Sequence, residues 1–248
     1  MSTVAKAVSL LEHFTLGEPE IGLSDIARKA GLDKATTRRL LVALAGHRLI
    51  EQEPQSRRYR LGAGLSRLAR IREAHFPFTR LAVPIVRELA QETGETVHIS
   101  EFSAGALLTA HVELSAKANR VNVDVGQVLP LHGTASGIAF LAASSDEAVK
   151  AYVEKPLQAF TQHTVTVRAK VLEAIRLAAA RGYSRSLQGY EEGVHSVAAA
   201  VICPDGHPIG TISVASPISR VDDAAAAAQG EAACRAARKI SARLSGEA

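Results

Sequence analysis

The chain has 248 residues, of which 47% are hydrophobic, so it can bury one large core or two modest ones and is not a disordered chain. It holds no run of about 18 apolar residues and no charged N-terminal segment followed by an apolar block, so we expect neither a membrane span nor a secretory signal. Its two cysteines, Cys203 and Cys234, form no C-x-x-C pair, which fits a reducing, cytoplasmic location.

Charge is distributed unevenly along the chain. The net charge of +4 is a weak signal taken whole, but residues 1–80 hold 14 Lys and Arg against 8 Asp and Glu, a net charge of +6. Residues 81–248 hold 15 against 17, a net charge of −2. A small basic domain followed by a larger, mildly acidic one predicts that only the first part faces a polyanion such as DNA.

Three helices are predicted in the first 50 residues. Residues 4–14 place apolar side chains at steps of three and four residues, which is typical of one face of a helix. The second helix is predicted to have Ser24 as its N-cap and to end at Gly31, a residue suited to the left-handed C-terminal position. The third helix follows at once over 34–44, with Asp33 as its N-cap.

Two short strands and one more helix follow. Residues 49–53 and 57–61 predict strands, with a turn over 54–56 between them. Residues 65–74 predict a helix with a narrow apolar stripe made of Leu65, Leu68 and Ile71. This stripe is the natural seam of a dimer, although it could instead pack against the second domain of its own chain.

From residue 81 the pattern becomes mixed α/β, and we expect Pro77 and Pro84 to mark the passage into this second domain. Its predicted helices are 85–90, 135–143, 169–180 and a last one from Asp222 or Asp223 to about residue 244. Its predicted strands are 97–102, 107–112, 196–203 and 209–215, the last two joined by a turn at 204–206.

Two short helices joined across Gly31, followed by a two-stranded ribbon, predict a winged helix-turn-helix. The first turn of the third helix offers backbone N–H groups and the positive end of the helix dipole to phosphate. Thr36 can reach a phosphate oxygen or a thymine methyl group, and Arg38 can bind guanine through two hydrogen bonds. The predicted DNA-binding residues of this helix are Lys34, Ala35, Thr36, Arg38 and Arg39.

The ribbon adds Arg57, Arg58 and Arg60 as predicted DNA contacts in the wing. Strand alternation would place Arg58 and Arg60 on one face and Arg57 on the other, so not all three need to contact DNA. The alternative is a solvated face, which is what runs of charge usually are.

Further motif segments lie along nearly the whole chain. Those in the first domain are 23–27, 31–32, Thr36, 39–41 and 59–62. Those in the second domain are 126–137, 181–183, 192–194, 198–201, 205–206 and 212–217, with Arg220. With these segments the chain resembles the IclR family of transcriptional regulators.

This resemblance implies a mixed α/β fold: an N-terminal winged helix-turn-helix over 1–62, a linker helix over 63–77 and a C-terminal GAF-like α+β effector domain over 78–248. The effector domain would hold an antiparallel sheet with helices on its faces. The resemblance also implies a homodimer or a dimer of dimers.

The resemblance further implies an effector pocket on that sheet, in which Ala135 and Ser136 offer backbone N–H groups and Val121 forms an apolar wall. Ser186, Ser196 and Ser213 would contribute side chains. The chain departs from the family at Ser186, where members that bind small oxo-acids carry an acidic residue in the loop after Arg-Gly-Tyr, and at Ala215, where a second hydroxyl is common. Hydroxyls and backbone amides without a fixed charge suit a carboxylate or hydroxylated ligand.

Neither metal binding nor catalysis is expected, and no cofactor. No two of five candidate histidines have the i, i+4 spacing of a helical metal site: His98, His111, His132, His195 and His207. Ser136 stands one place late for a G-x-S-x-G nucleophile.

The function predicted from the sequence is therefore a sequence-specific DNA-binding regulator controlled by a small organic effector, with double-stranded operator DNA as its partner and no membrane. The alternative is a ligand-binding module or an enzyme with a basic N-terminal appendage. A regulator requires Arg38 and Arg39 to be exposed on a helix that can enter a groove.

Overall fold

The computed structural model describes residues 1–15 and 17–246 of the chain. The predicted domain ranges also include Leu16, Glu247 and Ala248, which lie outside the described residues. The chain divides into two compact units, Met1–Phe76 and Pro77–Ala248. Within the described residues, no helix combines the length and the apolar character needed to cross a membrane.

The first unit contains four helices and a small antiparallel sheet among its described residues. Its elements are α1 (Thr3–Leu11), β1 (Glu20–Ile21), α2 (Leu23–Ala30), α3 (Lys34–Gly46), β2 (Ile50–Gln52), β3 (Tyr59–Leu61) and α4 (Ala63–His75). The strand order is β1-β3-β2, so β1, which precedes α2 in the chain, adds a third strand to the wing hairpin β2–β3.

One apolar cluster holds this unit together. The helices contribute Leu10, Ile26, Leu40, Leu41 and Leu44, and the strands contribute Ile21, Ile50 and Tyr59. Burial of each large apolar side chain stabilises the fold by roughly 1.5–3 kcal/mol. The inward positions of α3 follow the predicted helical period, which leaves its opposite face exposed.

The structure corrects three details of the first unit. Ser24 is not an N-cap, because α2 begins at Leu23 and Gly22, two residues before Ser24, occupies the cap without a side-chain hydrogen bond. The first helix ends at Leu11 rather than at residue 14. Strand β1 was not predicted, because two residues that pair with β3 leave no periodic pattern of their own.

The second unit consists of a six-stranded antiparallel sheet with helices on both faces. Its elements are α5 (Phe78–Thr93), β4 (Thr96–Ser103), β5 (Ala106–Glu113), β6 (Val128–Leu129), α6 (Ala135–Ala142), α7 (Asp146–Val153), α8 (Arg168–Arg181), β7 (Ser184–Leu187), β8 (Val194–Ile202), β9 (Pro208–Pro217), a short 3-10 helix (Ile218–Arg220) and α9 (Asp223–Leu244). The strand order is β6-β5-β4-β9-β8-β7.

The two faces of this sheet differ in character. One face carries apolar side chains such as Val97, Ile212 and Val197, which pack with α5 and α9 into the larger core. The other face carries hydroxyls, an imidazole and small side chains, and α6 lies against its strands β7, β8 and β9. The predicted fold class, a helix-turn-helix part followed by an α+β part, is confirmed.

The structure also corrects the passage into the second unit. Pro84 does not mark a boundary, because it lies inside α5, where burial of Phe78, Ala82 and Ile85 outweighs the backbone hydrogen bond that proline cannot make. The sequence did not predict β6, α7 or β7. Ser186, which was expected in a loop, lies on strand β7.

Helix α6 approaches its surroundings unusually closely. A Cβ atom on Gly137 would lie 2.2 Å from the Cα atom of Leu131. Ala135 and Ala139 pack against Ala198 of β8, and all three side chains are buried. Small side chains at these positions therefore allow the first turn of α6 to rest directly on the sheet.

Substitution of Gly137 by alanine tests this contact. We expect Gly137→Ala to lower the free energy of unfolding by about 1–3 kcal/mol, because the added Cβ meets backbone that must move. Gly46→Ala is the matched control: its Cβ would meet nothing within 4 Å, so we expect a change of less than about 1 kcal/mol in the stabilising direction. Urea unfolding of both variants gives the comparison, and equal effects would contradict the proposed packing.

Candidate functional site

The start of α3 is fixed by the side chain of Asp33. Its Oδ1 accepts a hydrogen bond of 2.8 Å from the backbone N–H of Thr36, as predicted for an N-cap. The Thr37 hydroxyl donates back to the backbone oxygen of Asp33 at 2.9 Å. The hydrogen bond from the Thr36 N–H holds the pKa of Asp33 below its ordinary value, so the carboxylate is ionised at neutral pH.

The exposed face of α3 carries the predicted base-reading residues. Arg38 and Arg39 are both exposed, and so are Lys34 and Ala35, while Thr36 is half-buried. Among residues 1–15 and 17–246, neither Arg38 nor Arg39 forms an ion pair or a side-chain hydrogen bond. Two neighbouring cations without internal partners are available to an external anion.

The wing arginines are not equivalent. Arg60 lies within 4 Å of three carboxylates, those of Glu20, Glu51 and Glu53. The guanidinium of Arg58 donates to the backbone oxygen of Glu20. Both side chains thus tie β3 to its neighbours within the unit.

Arg57 differs from these two residues. It precedes β3 in a left-handed conformation, with φ of 58°. Its backbone oxygen accepts from the Gln52 side chain at 2.8 Å, but its guanidinium has no partner within the described part of the chain. It is therefore the wing arginine whose charge is left for an external partner.

In the second unit, strand register brings the predicted serines onto one face of the sheet. Residues directly opposite on neighbouring strands share a face. The pairing produces two rows across the sheet: His98, Ser213, Ala198 and Ser184 in one, and Thr96, Ala215, Ser196 and Ser186 in the next. Ser196 and Ser213 are therefore diagonal neighbours on this face.

An open cavity lies over these rows, and the space within it is about 520 Å³ when the solvent at its mouth is included. Its lining includes all seven residues predicted for the effector pocket: Val121, Ala135, Ser136, Ser186, Ser196, Ser213 and Ala215. A concave site with a few polar groups among apolar side chains is typical of a small-molecule site.

Sequence reasoning missed several lining residues. His98 enters the sequence prediction only among the candidate metal ligands. Its position on a predicted strand, in alternation with apolar residues, is the signal that assigns it to the polar face. Tyr190 and Gln127, whose side chains hydrogen-bond at 3.3 Å, come from two loops that carry no such signal. Glu191, an exposed residue at the mouth, contradicts the expectation of a pocket without a fixed charge.

The first turn of α6 presents buried donors to this cavity. Thr134 caps the helix by accepting from the N–H of Gly137 at 2.9 Å, and its backbone oxygen accepts from Ile138. The N–H groups of Ala135 and Ser136, both buried, have no hydrogen-bond acceptor within the described residues. Such unpaired N–H groups at a helix N-terminus attract an anion.

The serine hydroxyls are used differently. The Ser213 hydroxyl donates to the backbone oxygen of Val197 at 2.9 Å, so it is already satisfied within the sheet. The hydroxyl of Ser196, which is half-buried, has no partner within the described chain and is available to a ligand. Ser186 makes only a long contact of 3.5 Å, to the oxygen of Gly133.

His98 lies at the buried end of the cavity and is 6% exposed. Its Nε2 atom is 3.5 Å from the Ser136 hydroxyl, and its Nδ1 atom has no partner in the described structure. Burial lowers the pKa of His98 to about 4, so its imidazole is neutral at pH 7.

A buried ionic network holds one wall of the cavity in place. The carboxylate of Glu95, 4% exposed, accepts from Arg220 at 2.6 and 3.0 Å and from Lys117 at 2.8 Å. Next to it, the Thr96 hydroxyl donates to the backbone oxygen of Val121 at 2.7 Å. The loop that carries Val121 is thereby attached to the beginning of β4.

Two family models match the chain: "IclR helix-turn-helix domain" over residues 3–54 and "Bacterial transcriptional regulator IclR C-terminal" over residues 74–242. Among curated proteins, the glycerol operon regulatory protein of Streptomyces griseus is 31% identical over 89% of this chain and 87% of its own length.

Solved structures agree with these matches. An IclR transcriptional regulator from Silicibacter sp. TM1040 is 37% identical, with a TM-score of 0.82 over 98% of this chain and 96% of its own. An IclR homolog from Microbacterium hydrocarbonoxydans complexed with 4-hydroxybenzoate shares the fold at 23% identity, with a TM-score of 0.85 over 99% and 100% of the two chains. The family predicted from the sequence motifs is confirmed.

The Glu95 network predicts a pH-dependent contribution to stability. Burial raises the pKa of Glu95, but the hydrogen bonds from Arg220 and Lys117 outweigh burial and hold the pKa below its ordinary value of 4.5. Because the folded pKa is depressed, this stabilisation is present above about pH 4.5 and is lost as pH falls through the folded pKa. Glu95→Gln should therefore cost about 1.5–3 kcal/mol at pH 7 and progressively less in acid.

Urea unfolding at about pH 7 and at about pH 3.5 checks this expectation. Glu173→Gln is the control, because Glu173 forms a solvent-exposed pair with Arg176 and should contribute little to stability at either pH. A Glu95→Gln cost that stays constant with pH would contradict the assignment.

Proposed function

Because the chain belongs to the IclR family of bacterial transcriptional regulators, we propose that it binds operator DNA through α3 and that a small organic effector in the cavity controls this binding. The observation that carries the DNA part is the exposed pair Arg38 and Arg39, which has no internal partner within the described residues. The effector part rests on the cavity that gathers the seven predicted lining residues.

The proposed domain division follows the sequence prediction. Residues 1–62 form the DNA-binding domain, 63–77 the linker helix and 78–248 the effector-binding domain. The matches of the two family models to residues 3–54 and 74–242 support a division in this region.

The DNA-binding roles differ between α3 and the wing. In the first turn of α3, the backbone N–H groups of Lys34 and Ala35 and the hydroxyl of Thr36 face phosphate, since the N–H of Thr36 already bonds Asp33. Arg38 and Arg39 read base edges in the major groove. In the wing, Arg57 contacts the DNA backbone, while Arg58 and Arg60 act mainly by holding the shape of the hairpin, since their guanidiniums are already engaged.

The proposed effector is a small carboxylate or hydroxylated molecule. The N–H groups of Ala135 and Ser136 and the hydroxyl of Ser196 are donors suited to either group. The 4-hydroxybenzoate bound by the Microbacterium homolog carries both groups, which is consistent with this class.

We propose that the protein acts as a homodimer or a dimer of dimers in the cytoplasm. The exposed side chains of Leu68 and Ile71 on α4, 46% and 50% accessible, form an apolar seam beside the half-buried Leu65. Two winged helices on a two-fold site provide the contacts that one lacks for specificity.

We propose no catalytic role. Ser136 and His98 approach each other, but a serine nucleophile needs a base that is oriented by a third group. Within the described chain, no carboxylate contacts Nδ1 of His98, where that group would lie.

Removal of both α3 arginines tests the DNA assignment. The double variant Arg38→Ala/Arg39→Ala should lose at least about 1–3 kcal/mol of operator binding, because bidentate base contacts are worth that much each. The measurement is fluorescence anisotropy with DNA from upstream of the gene that encodes this chain, against a scrambled duplex.

Two matched variants separate base reading from charge. Arg57→Ala should weaken binding to both duplexes and reduce the salt slope by about 0.9, as loss of one phosphate contact would. Arg176→Ala, on the exposed face of α8, should change neither. Unchanged operator affinity in the double variant would refute the groove assignment.

Two cavity serines should respond oppositely to substitution. Ser196→Ala should weaken binding of a carboxylate probe by about 0.5–3 kcal/mol, because an available hydroxyl is lost. Ser213→Ala should instead lower the free energy of unfolding, because its hydroxyl bonds Val197. Titration of both variants with benzoate and 4-hydroxybenzoate, beside urea unfolding, distinguishes these effects. A larger affinity loss for Ser213→Ala would reverse the two roles.

A further inference from the structure

We propose that His98 neutralises an acidic effector by taking up a proton from solvent when a carboxylate binds in the cavity. The carboxylate stays ionised, and the neutral imidazole becomes an imidazolium. This inference rests on the proposed function of the cavity as an effector site, and it assigns the effector to the class of small organic anions.

The first support is the shortage of positive charge in the cavity. Among its described lining residues there is no Lys or Arg, and the ionisable side chains besides His98 are Tyr190 and Glu191. An anion that enters would be compensated by neutral donors only, and burial of an uncompensated charge is costly. The negative charge of Glu191 makes the binding of an anion less favourable still.

The second support is the geometry of His98. It lies one row from Ser196 on the polar face of the sheet, and its Nε2 atom is 3.5 Å from the Ser136 hydroxyl. The unpaired N–H groups of Ala135 and Ser136 belong to the same helix turn. An anion bound at this turn is therefore adjacent to an imidazole that is 94% buried and has an unpartnered Nδ1 atom.

Among the described residues, the elements packed around His98 present no other group that could supply the positive charge. Helix α6 and strand β9 carry no ionisable side chain over their described lengths. On β5 the residue opposite His98 is Val112. Side chains alternate between the two faces of a sheet, so the ionisable residues of the other strands lie on the face opposite to the cavity. They are His111 and Glu113 on β5, Arg185 on β7 and His195 on β8.

The sign of the pH dependence follows. In the empty cavity burial keeps the pKa of His98 at about 4, and a carboxylate beside it raises that pKa because an opposite charge favours the imidazolium. Between the two pKa values, binding is coupled to proton uptake, so affinity for an anion falls as pH rises. An uncharged ligand of the same shape shows no such coupling.

Calorimetry on the full chain tests this coupling. The probes are acetate, lactate, benzoate and 4-hydroxybenzoate, each paired with its uncharged amide. For the carboxylates that bind, titration at about pH 6 in two buffers of different ionisation enthalpy should reveal uptake of up to about one proton. Their dissociation constants should rise by up to about tenfold for each pH unit towards pH 8.

His98→Gln keeps a nitrogen donor near the position of Nε2 but cannot titrate. We expect carboxylate binding to this variant to be weaker, without proton uptake and independent of pH. His163→Gln, at an exposed histidine of the same unit, is the matched control and should behave like the unmodified chain. Circular dichroism establishes that each variant is folded.

A second readout does not depend on the variant being folded. In the unmodified chain, the imidazole NMR signal of His98 should titrate at higher pH when the cavity is filled with a bound carboxylate. An unchanged titration, or proton uptake that persists in a folded His98→Gln, overturns the proposal.

The remaining outcomes separate this proposal from the function on which it rests. Binding of amides without carboxylates overturns the anion class but leaves an effector cavity. Absence of binding by either series overturns both the role of His98 and the effector proposal, while the anisotropy measurement on α3 tests DNA binding independently.

Discussion

The close contact of α6 with strand β8 and with the segment around Leu131 is the constraint on which the candidate site depends. Gly137 against the backbone of Leu131, and alanines against Ala198, leave no room for larger side chains. Because α6 packs so close to the sheet, the N–H groups of its first turn lie beside the polar row that contains His98 and Ser213. Wider packing would fill this space with side chains, and the cavity would lose both its depth and its buried donors.

A second principle is that internal pairing decides which charges remain for function. In the first unit, glutamates from β1, β2 and the wing engage Arg60, whereas Arg38, Arg39 and Arg57 have no internal partner among the described residues. In the second unit, the buried Glu95 is fully engaged by Arg220 and Lys117. Paired charges therefore stabilise the fold of each unit. The proposed DNA contacts are arginines that take part in no such pair among the described residues.

Local patterns in the sequence predicted the structural features that depend on residues close together in the chain, such as helix caps and the buried faces of helices. Asp33 as a cap and the buried face of α3 follow from spacing alone. Long-range pairing could not be predicted. The contact of Arg58 with Glu20 and the pairing of His98 with Ser213 join residues 38 and 115 positions apart. Pro84 within α5 shows tertiary packing overriding a local signal.

The most direct measurement is a crystal structure of the full chain soaked with the carboxylate probe that binds best. The account predicts carboxylate oxygens within about 3 Å of the N–H groups of Ala135 and Ser136, beside the imidazole of His98. The natural competitor for an anion is the open groove that contains Arg181, Arg235 and Arg238 near α9. A probe bound in that groove, with the cavity over the sheet unfilled, would contradict the account.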